Sequence, residues 1–151
     1  MINIGNNQFM TAALKEAKIA LEQNEIPVGS VITHNDKIIA KAHNMRETNK
    51  NSLHHAEILA IDKACMALNA WRLNECDIYV TLEPCLMCAG AILNTRFKRV
   101  YFGVYDKQFG ASKYLNTSNI EVYGGICEEE CQKIINIFFG KIRKKETKYE
   151  Y

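Results

Sequence analysis

The order of apolar patterns predicts an α/β protein, reading helix, two strands, helix, strand, helix, strand, loop, strand, helix. Two observations carry this. Apolar residues recur at helical spacing in segments such as Phe9, Ala13, Ala17 and Ala20. Between such segments lie short runs rich in β-branched and aromatic residues, such as Asp77-Ile78-Tyr79-Val80-Thr81-Leu82. Strands alternating with helices imply a central sheet with helices packed on its faces. The 151-residue length is that of a single domain, residues 1–151, and neither a repeat nor a low-complexity linker interrupts it.

The first helix is expected over Phe9–Gln23, with Lys15, Glu16, Lys18 and Glu22 mostly off its apolar face, Asn6 or Asn7 as its cap, and Asn24 after its end. Val28–Ile32 and Lys37–Ala42 read as strands joined through a turn at His34-Asn35-Asp36, and Gly29 signals close backbone approach. A polar loop, His43–Ser52, follows, with Asn44 at its entrance. The second helix is expected over His54–Leu68 with Ser52 as candidate cap, and Trp71 reads as core packing or a helix-to-strand joint. Pro84 suits the first position of a third helix running through Leu86, Ala89 and Ile92. Arg99–Val104 and Ile120–Tyr123 read as strands around an irregular Tyr105–Asn119. Glu128 to about Lys145 is a final amphipathic helix with Ile134, Ile135, Phe138, Phe139 and Ile142 as its apolar positions.

Composition is that of an ordinary globular chain, 48% apolar and 24% charged, with no apolar run of transmembrane length and no secretory leader; the expected compartment is cytoplasmic, with no membrane partner. Net charge is +2, but it sits in the tail, where Lys141, Arg143, Lys144, Lys145 and Lys148 face only Glu146 and Glu150. Such a patch can follow a phosphate backbone, or simply complement the end of a helix dipole; charge alone does not choose. Six cysteines in a cytoplasmic chain suggest metal ligands or buried thiols rather than disulfides. Cys65, Cys76, Cys127 and Cys131 lack any ligand context.

The other two cysteines do not. His54-His55-Ala56-Glu57 and Pro84-Cys85-Leu86-Met87-Cys88 together offer one imidazole and two thiolates, the donors that zinc prefers. Residues three apart at a helix start share a face, and the unpaired N–H groups there favour thiolate. A lone Cys-x-x-Cys is commonly half of a structural zinc site, but that needs a fourth protein ligand, and no second Cys-x-x-Cys or His-x-x-x-His supplies one. Three ligands leave a tetrahedral ion one open position, the arrangement of a catalytic site. His55 is favoured over His54 because it alone has the x-Glu partner. Glu57, two residues on, points away from the metal and is the candidate proton carrier.

The His-x-Glu and Pro-Cys-x-x-Cys pairing resembles the signature of zinc nucleobase deaminases. The resemblance extends over almost the whole chain, through Glu25-Ile26-Pro27-Val28-Gly29, Ala42-His43-Asn44, Trp71-Arg72-Leu73, Tyr79 to Ala91, Arg99 to Gly103, Asp106, Gly110-Ala111 and Phe138-Phe139. On these residues the chain is similar to bacterial tRNA-specific adenosine deaminases of the cytidine-deaminase-like superfamily. The resemblance implies a three-layer α/β/α fold with a central five-stranded mixed sheet, usually a homodimer. It also implies one Zn2+ per chain on His55, Cys85 and Cys88, Glu57 as the catalytic acid/base, and hydrolysis of adenosine to inosine at the wobble position of a tRNA anticodon stem-loop. Asn44 and the Ala56 backbone would hold the base, with Pro27, Val28, Leu82 and Glu83 lining the pocket. Asp106, Phe138, Phe139, Arg143, Lys144 and Lys145 would meet the RNA. The alternative is deamination of a free base or nucleoside, guanine or a cytosine derivative, by the same chemistry. The chain departs from the family pattern at Ser52-Leu53-His54, at Tyr105, at Ser112-Lys113-Tyr114-Leu115 and before Ile120-Glu121-Val122, all on the substrate side.

Overall fold

The computed structural model describes residues 7–145. In chain order these form α1 (Asn7–Glu22), β1 (Gly29–His34), β2 (Lys37–His43), α2 (Ala56–Leu68), β3 (Cys76–Leu82), α3 (Leu86–Thr95), β4 (Arg99–Val104), β5 (Glu121–Tyr123) and α4 (Glu128–Lys145), with a 3-10 helix at Ser112–Thr117. The strands make one mixed sheet in the order β2-β1-β3-β4-β5, antiparallel across β2, β1 and β3 and parallel across β3, β4 and β5. This is the expected α/β architecture with a five-stranded mixed sheet.

Alternation along the strands builds the layers. Val31, Tyr79 and Tyr101 pack with Phe9, Met10 and Ala13 of α1 and with Cys131 and Phe138 of α4. Ile32, Ile78 and Val100 point the other way, against Ala60, Ile61 and Ala64 of α2 and Ala89 and Ile92 of α3. Tyr79, Tyr101 and Tyr123 stand in register on neighbouring strands, and their rings stack 4.5 and 5.2 Å apart. Gly29 is where α1 comes closest to the sheet: a β-carbon there would overlap the Ala13 carbonyl oxygen. Asn35 and Asp36 both have positive φ (52° and 59°), as a two-residue hairpin turn matching the twist of β1 and β2 requires.

Several local expectations change. The second helix starts at Ala56, two residues late, with His55 and not Ser52 as its cap residue. Likewise Cys85, not Pro84, precedes α3, so Pro84 lies just outside the helix. Trp71 is not core packing: it is 59% exposed, with the Arg72 guanidinium 4.8 Å over its ring. The stretch expected to be irregular after β4 contains the 3-10 helix. Asn6, a proposed cap, lies outside the described residues.

The register gathers the chemistry at one end of the sheet. β1 begins beside the end of β2 (Gly29 opposite His43) and near the end of β3 (Ser30 opposite Val80), and Leu82 pairs with Val104 where β3 and β4 finish. The segments 25–28, 44–55, 83–88 and 105–112 therefore all leave from that same end.

Candidate active site

Two helix N-termini carry the metal-type donors. His55 sits at the start of α2 in extended backbone (φ −69°, ψ 155°), and Cys85 at the start of α3 likewise (φ −75°, ψ 177°). Neither side chain caps its own helix, which leaves both available to point across the gap. Cys88 lies in the first turn of α3. His55 (3% exposed) and Cys88 are buried, and Cys85 is half-buried.

The Sγ atoms of Cys85 and Cys88 lie 3.6 and 3.5 Å from His55 Nδ1. A tetrahedral zinc with ordinary Zn–S and Zn–N bonds needs sulfur and nitrogen about 3.6 Å apart, so the donor spacing fits that ion without rearrangement. Among the described residues this trio is the one cluster of His, Cys, Asp and Glu whose donor atoms could hold a metal. His54 is excluded from it: its Nδ1 pairs with the Asn49 side-chain amide at 2.8 Å.

The thiols are unequal. The hydrogen bond with Cys88, with His55 beside it, brings Cys85 down to about 4 against the opposing effect of burial. Cys88 is driven up by the hydrogen bond with Cys85, by burial and by the Glu57 carboxylate. Both thiols must give up their protons to ligate a divalent ion, so binding there would release protons. Glu57, fully buried in the first turn of α2, is within reach of the Cys88 sulfur and outside the donor trio.

The other expected site residues fall in different surroundings. Asn44 is buried, its Nδ2 donating to Ile26 O at 3.2 Å and its Oδ1 accepting from Arg46 N at 3.1 Å. Pro27, Val28 and Ala56 are also buried, and Val28 O accepts from Asn44 N at 3.0 Å. Leu82, Asp106 and Phe139 line a cavity of about 270 Å3 together with Ile26, Tyr105 and Phe109. Glu83, expected in the pocket lining, is turned instead into the loop after β4: it accepts from Asp106 N (3.0 Å), Ser112 N (3.2 Å) and Ser112 Oγ (2.6 Å). Asp106, expected to meet RNA, spends Oδ1 on Gln108 N and Phe109 N, both at 3.1 Å, and so shapes the turn. Of the aromatic pair, Phe138 packs into the core and only Phe139 (36% exposed) reaches the surface. Arg143 is exposed in the last turns of α4; the side chains of Lys144 and Lys145 lie outside the described part.

A wider concavity, about 1190 Å3, is elsewhere. Its lining includes Arg72, Asn74, Asn94, Lys98 and Glu121, at the end of the sheet where β3, β4 and β5 begin. It contains none of the metal-type donors. Missed in the sequence was Glu25, fully buried, which accepts from Glu47 N (3.0 Å), Thr48 N (2.6 Å) and Thr48 Oγ1 (2.6 Å). The available signal was an acid one or two residues before a proline, present at both Glu25-Ile26-Pro27 and Glu83-Pro84.

A mixed sheet whose two flanking helices bring His-x-Glu and Pro-Cys-x-x-Cys together defines a class, the hydrolytic nucleobase deaminases. Comparison with known proteins agrees. A family model for MafB19-like deaminases matches residues 4–143. The tRNA-specific adenosine deaminase of Bacillus subtilis (strain 168) is 47% identical over 146 residues, covering 91% of each chain. The chain belongs to that family, the tRNA-specific adenosine deaminases. A solved structure from studies of A-to-I editing by tRNA:A34 deaminases at the wobble position of transfer RNA superimposes with a TM-score of 0.82. It is 38% identical and covers 85% of this chain and 99% of its own. Guanine deaminase from Bacillus subtilis is more distant, with a TM-score of 0.65, 33% identity and 74% of each chain covered.

Proposed function

We propose that this domain binds one zinc ion and hydrolyses adenosine to inosine at the wobble position of a tRNA anticodon. The observation that carries the chemistry is the donor trio, three ligands at tetrahedral spacing with a buried carboxylate beside them and outside the set. His55, Cys85 and Cys88 hold the ion. When bound, zinc supplies Lewis acidity that lowers the pKa of water into the neutral range.

The rest is work for side chains of this chain. Glu57 takes one proton from the attacking water and passes it to the ring nitrogen, then takes the second from the hydroxyl newly bonded to the ring carbon and passes it to the amino group, which leaves as ammonia as the C–N bond breaks and the C=O forms. Its burial keeps bulk water from competing for those protons. Asn44 hydrogen-bonds the flipped base, with Pro27, Val28, Leu82 and the Ala56 backbone around it. Phe139 and the basic Arg143, Lys144 and Lys145 engage the anticodon loop and its phosphates.

Adenosine in tRNA is supported over guanine because the adenosine deaminase relative is 47% identical over nine-tenths of the chain, against 33% over three-quarters for the guanine deaminase. Action as a homodimer in the cytoplasm belongs to the same proposal; among the described residues no helix is long and apolar enough to cross a membrane. Incubating the protein with an anticodon stem-loop carrying wobble adenosine, and in parallel with guanine, cytidine and free adenosine, tests the substrate. Inosine is expected in the RNA, and rapid ammonia release from a free base with unmodified RNA would overturn the assignment.

A further inference from the structure

Outside the metal trio, the most heavily hydrogen-bonded buried groups at this end of the sheet are two carboxylates. Glu25 is fully buried and Glu83 is 8% exposed, and each accepts three hydrogen bonds from a segment more than twenty residues away. The arrangements match in kind. Each carboxylate takes two backbone N–H groups and one hydroxyl, from Thr48 in one case and Ser112 in the other, and each acid stands one or two residues before a proline.

The two captured loops differ in what they carry. The Glu25 loop joins the base-contacting Asn44 to the ligand His55: Asn44 Oδ1 accepts from Arg46 N, and Met45 N donates to His54 O at 3.1 Å. The Glu83 loop carries exposed Tyr105 (54%) and Phe109 (46%) on the rim of the 270 Å3 cavity. It closes so tightly that a β-carbon on Gly110 would overlap the Glu83 carboxylate. Ala111 N also donates to Pro84 O at 2.8 Å, tying this loop to the residue before Cys85.

We propose that Glu25 and Glu83 are paired positioning residues with divided tasks. Glu25 fixes the loop that aligns the reacting base with His55, and Glu83 fixes the loop that captures the surrounding RNA. Neither touches substrate. The inference rests on the RNA-deaminase reading for its kinetic half only.

Glutamine at either position keeps the shape but turns an NH2 toward an N–H donor, which breaks one arm of the clamp. With zinc-loaded protein and the anticodon stem-loop, Glu25→Gln is expected to lower kcat at least about tenfold with a smaller change in KM, because a misaligned base is a fault of the chemical step. Glu83→Gln is expected to raise KM at least about tenfold with a smaller change in kcat. Amide hydrogen exchange supplies the readout that needs no substrate: protection falls at Glu47 and Thr48 in the first variant and at Asp106 and Ser112 in the second, each leaving the other loop as it was.

Thr48→Val and Ser112→Ala remove a single hydroxyl donor each and repeat the two patterns at a few-fold scale, even where a glutamine variant fails to fold. Equal losses in kcat and KM for both variants, or exchange rising across the whole protein, would overturn the divided assignment. If the wild-type protein leaves the RNA unmodified, the tRNA reading falls, and the exchange pattern still decides whether the clamps are independent.

Discussion

The metal cluster and the loops around it are built by opposite means. The three donors that could hold a metal come from two stretches of a few residues each, His55-Ala56-Glu57 and Pro84 to Cys88, whose geometry follows from the helix starts on which they sit. The loops have no such local rule. Residues 44–55 and 105–112 are held by carboxylates that come from elsewhere in the chain, Glu25 from beyond the end of α1 and Glu83 from beyond the end of β3. On the proposals above, reaction chemistry is written in short motifs, whereas substrate geometry depends on long-range buried charge. A change in one part should leave the other measurably intact.

The largest effect is expected in the ligands. Cys88→Ala removes a buried donor from a three-ligand site, so bound zinc measured by atomic absorption should fall to near zero and turnover with it, whereas the loop amides at Thr48 and Ser112 keep their exchange protection. Next comes Glu57→Gln. It should retain zinc and RNA binding and lose about 100- to 10,000-fold in kcat, the usual contribution of a positioned acid/base; unaltered turnover would remove Glu57 from its role. The smallest is on the loop side. Gly110→Ala forces the loop or the Glu83 carboxylate to move, and a loss of about 1–3 kcal/mol in denaturant unfolding is expected, with zinc content unchanged. Loss of zinc in that variant would break the separation between the two regions.

Much of the fold is legible in pattern. The spans of β4 and α4 agree with the structure, because strict periodicity with clear ends leaves little freedom. The start of α2 and the role of Pro84 were misjudged for one reason: the ligand residues themselves occupy the extended positions just before each helix, which a helical pattern reads as helix. Of the two places expected for Trp71, the joint between α2 and β3 is the one it takes; the core alternative fails because its ring lies at the surface with Arg72 over it. Phe138 and Phe139 read as equivalent, yet adjacent helix positions face different ways, so one is core and the other rim.

The amino-acid sequence alone made the α/β alternation and the His-x-Glu and Cys-x-x-Cys pairs legible, since each depends on spacing within one short stretch. Tertiary structure alone decided that Nδ1 of His55 lies 3.5–3.6 Å from both sulfurs, that Glu83 and Asp106 hold the loop after β4, and that Glu25 holds the loop between Asn44 and His55. A buried carboxylate is stable only when donors surround it, and no local pattern reveals which distant N–H groups will do so.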